Sequence, residues 1–231
     1  MRLTFALATV LYISALSVVS TQQTTPAPPA APERFDFEVR ADFFAGFAGD
    51  TARFERAMKR CEDELAANPR HAEAMVWHGS GLIAQGGMLI GKGDMPKGME
   101  LWKRGLDEMN RAVELEPDNV GVRIPRGASL FEASRHVPPQ MAPPLLKLAL
   151  GDYEHTLMLQ KSHFARLSDH AKGELLFGLA EGWSRAGDPE KARGYFKRLT
   201  EDAPKSGRVA YSQAWLEGKP PAEVGTCTGC H

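Results

Sequence analysis

The chain has 231 residues, 43% of them hydrophobic and 25% charged, with 28 Lys+Arg against 29 Asp+Glu. That composition excludes wholesale disorder, and a net charge of −1 lacks the basic excess expected of a nucleic-acid binder. Three cysteines are too few for a disulfide-built scaffold, and the length allows one or two domains with a sizeable core.

Residues 1–20 begin with the positive charge of Arg2, continue through an almost wholly apolar stretch from Leu3 to Val19, and carry small residues at cleavage-like spacing, Ala15-x-Ser17 or Val18-x-Ser20. This is the pattern of a secretory signal peptide. Left uncleaved, the same stretch is barely long enough to anchor the chain in a bilayer. No later run approaches spanning length. The expectation is an exported protein, periplasmic or extracellular, with no transmembrane span after cleavage. Residues 21–34 then place Pro26, Pro28, Pro29 and Pro32 close together without a large apolar residue, as in an extended linker.

From Phe35 to Gly218 apolar residues recur at three and four, the helical period. Four Gly-Asp pairs punctuate the pattern: Gly49-Asp50, Gly93-Asp94, Gly151-Asp152 and Gly187-Asp188. Each pair can close one helix on a left-handed Gly and open the next with Asp as N-cap. Prolines follow three further helix ends, at Pro69, Pro117 and Pro204. The prediction for residues 35–218 is an all-α domain of about four helix pairs, with a capping helix over 206–218.

The segment from Leu176 to Pro204 resembles the tetratricopeptide repeat. Leu176, Leu179, Ala180 and Trp183 stand on its first helix, and Ala192, Phe196, Leu199 and Pro204 follow on and after its second, at that family's spacing. Met75, Gly79 and Leu82 share the register more loosely, as do Gly127 and Leu130. The resemblance implies a superhelical array with a concave groove, and the family's usual work is holding partners rather than catalysis. The family's period is 34 residues. The wider spacing of Gly79, Gly127 and Ala180 therefore predicts longer helices or insertions in the earlier repeats, the clearest being Arg135 to Leu148.

Residues 219–231 end in Cys227-Thr228-Gly229-Cys230-His231. Cys-x-x-Cys-His is the attachment sequence for a c-type haem. Two thiols at this spacing reach both vinyl groups of one porphyrin, and the adjacent imidazole becomes the proximal iron ligand. A chance match is expected in roughly one such chain in a thousand, so Cys227 and Cys230 are predicted to hold one covalent haem c, with His231 on the iron. What is known of c-type cytochromes implies that attachment takes place outside the cytoplasm in bacteria, in agreement with the export signal. The competing readings are a Cys227–Cys230 disulfide and a zinc site.

The resemblance to cytochromes c stops at the motif. Nothing resembling their wrapping fold accompanies it, so the haem is expected to rest against the helical array or another subunit. For the sixth iron position the repeat topology points to His136 or His155, both expected near the Gly-Asp edge of the array, with Met141 as a thioether alternative. His78 falls on a core position and reads as a buried, hydrogen-bonded residue. His71, His163 and His170 read as exposed polar residues, Cys61 as a buried thiol, and Trp77, Trp102, Trp183 and Trp215 as core. No residues suggest an enzyme. The expected function is electron transfer by an exported mono-haem protein that docks a redox partner or copies of itself, in the limit as a head-to-tail filament. The alternative is a haem-free envelope scaffold that binds a protein partner, its tail a metal or disulfide site.

Overall fold

The computed structural model describes residues 34–219. Among them it contains nine α-helices, one short 3-10 turn at Phe164–Arg166 and no strand. The helices form four consecutive pairs: α1 (Asp36–Phe47) with α2 (Thr51–Ala67), α3 (Ala72–Gly91) with α4 (Met95–Leu115), α5 (Val120–His136) with α6 (Ala142–Gln160), and α7 (Asp169–Arg185) with α8 (Pro189–Asp202). A ninth helix, α9 (Val209–Leu216), caps the last pair. This is the expected all-α repeat array. The second pair carries the extra length, with helices of 20 and 21 residues.

Local chemistry explains most of the boundaries. Gly49, Gly93 and Gly187 have φ of 109°, 91° and 83°, a conformation that costs other residues a Cβ clash. The next residue in each case, Asp50, Asp94 or Asp188, accepts a hydrogen bond from a backbone N–H in the first turn of the following helix, at 3.1, 3.3 and 3.0 Å. Such a cap contributes about 1 kcal/mol. Helices α2, α4 and α8 end two residues before Pro69, Pro117 and Pro204.

The fourth Gly-Asp pair behaves differently. Gly151 and Asp152 lie inside α6, which starts at Ala142 and absorbs the end of the expected insertion. Asp152 caps nothing. Its carboxylate is fully buried and takes two hydrogen bonds from the Arg126 guanidinium, at 2.6 and 2.7 Å, and one from Arg123 at 2.8 Å.

Helices α1, α3, α5 and α7 pack side by side in one row, each backed by its partner. Three contacts fix the register along the row. Ser129 donates to Ser80 between α5 and α3 at 2.8 Å, Arg185 donates to Ser134 between α7 and α5 at 2.7 Å, and Arg208, at the start of α9, donates to Glu174 on α7 at 3.0 Å. Followed forward by equal steps, these parallel helices bring Gly87, His136 and Arg185 to the same edge. Lys219 leaves α9 there as well, with its N–H bonded to Ala214 after Gly218 at φ 76°. None of the described helices is long and apolar enough to cross a membrane.

Candidate functional site

The row of odd-numbered helices encloses a groove of about 590 Å³. Its floor is made of small residues, among them Ser80, Ala84 and Gly87 on α3, and Ala128 and Ser129 on α5. Those on α3 fall four and three apart, so that helix presents them as one stripe, while Ala128 and Ser129 are adjacent on α5. Large side chains stand around them: Phe44 and Phe47 from α1, Met88 from α3, Phe131 from α5 and Phe177 from α7. Short side chains between tall ones leave the space open, and the lining is largely apolar.

One end of the groove is charged. Glu174 pairs with Arg208, and Glu181 pairs with Arg135 at 3.0 Å and with Arg185 at 3.6 Å. Burial, together with the charge of Arg135, holds Arg185 below the usual arginine range, while Glu181 opposes this. The groove wall thus already neutralises its own cations and carboxylates, so it offers an apolar surface rather than a charged one.

His136 is the last residue of α5 and lies on this groove's rim. Its side chain is 70% exposed, and its only hydrogen bond among the described residues is from Nε2 to Glu132 one turn back, at 2.8 Å. His155 is placed otherwise than the topology suggested. Because α6 starts at Ala142 and not after Gly151-Asp152, His155 falls in its second half. There it meets Asp118, in the α4–α5 turn, at 2.7 Å. It therefore sits on the edge where α5 begins, opposite the edge where α5 ends in His136. Those edges are about 24 Å apart, the length of α5 at 1.5 Å per residue. His155 is not near the Gly-Asp edge.

The remaining candidates resolve one by one. Met141 is exposed immediately before α6. His78 is 3% exposed, with Nδ1 at 2.6 Å from Glu108. Burial alone would raise the Glu108 carboxyl, but the hydrogen bond from His78 and the neighbouring Arg104 outweigh it and hold it below its ordinary value. His71 is the N-cap of α3, its Nδ1 accepting from the Ala74 N–H. His170 is exposed and His163 half-buried around the α6–α7 connection. Cys61 is buried, and burial pushes its thiol well above the usual range. Trp77 and Trp102 are buried, while Trp183 and Trp215 are partly exposed. The buried indole N–H of Trp77 has no hydrogen-bond partner among the described residues.

Cys227, Cys230 and His231 lie outside the described residues, as do the expected signal peptide and proline-rich linker. Among the described residues no cluster of three or more His, Cys, Asp or Glu side chains is arranged to hold a metal. Sequence reasoning missed the groove floor and Met88, whose side chain is 52% exposed on the same rim as His136. The small-residue stripe of α3 was the available signal, but it means a groove only once α3 and α5 are known to be neighbours. No protein-family model matches the chain, and no curated protein matches it either.

Proposed function

We propose that the chain is an exported mono-haem electron carrier, in which a tetratricopeptide-like scaffold presents a covalently held haem c to a redox partner. The observation that carries this reading is the Cys227-x-x-Cys230-His231 sequence in a chain that opens with an export-type leader. Cys227 and Cys230 would hold the group through thioether bonds to its two vinyl substituents, and His231 would ligate its iron through a neutral imidazole. Bound haem would supply a one-electron iron couple. The helical array has two tasks, to shield one face of an apolar cofactor from water and to leave an edge free for a partner.

The groove suits such a group. Its volume lies within the range of ordinary cofactor sites, about 300–1,000 Å³, its lining is apolar, and an exposed imidazole stands at its rim. The test is to express the full chain, leader included, in a host that matures c-type cytochromes, denature the product and record its visible spectrum in pyridine. A covalent haem band is expected at one haem per chain, and its absence overturns the reading. Thiol titration gives a second measure. With haem attached, no thiol reacts in the native protein, because Cys61 is buried and its thiol is held protonated. One thiol per chain then reacts after denaturation. Three reactive thiols after denaturation and reduction mark a haem-free scaffold with a disulfide or metal tail.

A further inference from the structure

We propose that the groove between the odd-numbered helices is the seat of the chain's own C-terminal segment, and that His136 is the second axial ligand of the haem carried there. This rests on the haem reading above and adds where the haem lies and what closes its iron.

Reach selects the ligand. Lys219 leaves α9 on the edge that also carries the end of α7 and His136. Neighbouring helices pack roughly 8–10 Å apart, so His136, two helices along the row, lies about 20 Å from Lys219. The eight residues from Lys219 to Cys227 span at most about 26–29 Å when extended, enough to bring the thioether-bound group over the groove. His155 is on the opposite edge, across the length of α5 as well as two helices of the row, roughly 30 Å or more away. Met88 shares the favourable edge but is one helix further along the row, at about 30 Å, where the segment would have to be fully extended.

Availability selects the same residue. A ligating imidazole must present a free ring nitrogen. Among the described residues His136 has only an exposed i,i+4 contact with Glu132 to give up, worth at most about 1 kcal/mol. His78, by contrast, is buried and held by Glu108. The groove floor beneath this rim is what a flat apolar group needs. Gly87, level with His136, meets nothing within 4 Å of where a Cβ would be, so the space beside it is open. Tethering decides which copy supplies the segment. A short linker that spans its site gives a local concentration in the millimolar range, well above that of a second copy in dilute solution.

The test uses the haem-loaded full chain and three spectroscopic comparisons. The unsubstituted protein is expected to be low-spin, with a bis-histidine signature in near-infrared magnetic circular dichroism, unchanged by about a hundredfold dilution. His136→Ala is expected to become high-spin and to bind added imidazole, which restores the low-spin spectrum. Its helical content by far-ultraviolet circular dichroism stays unchanged, because the side chain is exposed and supports no part of the core. Gly87→Leu with Ala128→Leu fills the groove without touching any ligand and is expected to raise the affinity for added imidazole at least about tenfold, by displacing the segment. A His136→Ala spectrum identical to that of the unsubstituted protein overturns the ligand assignment. A groove-filled variant with unaltered imidazole affinity overturns the seat. Loss of the low-spin state on dilution overturns the intramolecular arrangement and assigns the ligand to a second copy. A chain without covalent haem overturns the haem reading itself, and the pyridine spectrum separates that outcome from the others.

Discussion

Replacing Asp152 by Ala is expected to lower the unfolding free energy by about 3–5 kcal/mol, the usual result of removing one member of a buried ion pair. The carboxylate has no exposed surface and is held by Arg126 in a two-pronged contact and by Arg123 through a third hydrogen bond. Arg126 is itself buried and also donates to Asn110 at 3.0 Å. One carboxylate therefore ties α6 to α5, and through Arg126 to α4. Truncation leaves two guanidinium groups facing each other with their shared counter-charge gone, and Arg126 cannot reach bulk water. The loss is a penalty for stranded charge rather than the intrinsic worth of the bond. Removing both partners should therefore recover much of it: Arg126→Met with Asp152→Leu is expected to lie within about 2 kcal/mol of the unsubstituted protein. Urea unfolding followed by circular dichroism measures both. A loss below about 1 kcal/mol for Asp152→Ala would mean that the site relaxes or hydrates, against its described burial.

The same residue shows where sequence reasoning reaches its limit. Four Gly-Asp pairs look alike in the sequence, and three of them behave as turn and cap, with no hydrogen bond from outside the turn competing for the carboxylate among the described residues. At the fourth, Arg123 and Arg126 stand nearly thirty residues upstream and meet Asp152 only once α5 and α6 have paired. Local propensity cannot register a partner at that distance. Reading a turn there moved the start of the sixth helix, and with it placed His155 on the wrong edge. The helix pairs, the proline stops and the capping helix were readable because each depends on a signal within a few residues. His136 was placed correctly for the same reason, since its position follows directly from the end of α5. The groove was not readable, because its lining is spread over every odd-numbered helix of the four pairs, and the small-residue stripe of α3 marks a groove only once those helices are known to be neighbours.

Glycines in α3 provide the second large effect, and one whose sign reverses within a single helix. Gly79 on α3 and Gly105 on α4 face each other so closely that a Cβ on Gly79 would stand 2.7 Å from the Gly105 carbonyl oxygen and 2.8 Å from Met109 Cγ. Seven residues on, Gly86 faces Gly98 in the same way, its Cβ position 2.6 Å from the Gly98 carbonyl oxygen. The obstacles are backbone atoms of a packed helix, which cannot turn aside as a side-chain end can. Accommodating one methyl group means separating α3 from α4 along their whole contact, including the buried Trp102 and Met109. Gly79→Ala and Gly86→Ala are each expected to destabilise by about 1–3 kcal/mol, the usual cost of overpacking. Gly87 is the next residue, on the groove side, with nothing within 4 Å of its Cβ position. There the same substitution only removes the conformational cost of a mid-helix glycine and is expected to stabilise by about 0.5–1 kcal/mol. Chemical denaturation of the single variants compares the two directly. Equal effects at positions 86 and 87 would contradict the close α3–α4 crossing. Opposite signs would establish that Gly86 is required by helix contact, whereas glycine at 87 is not required for the packing.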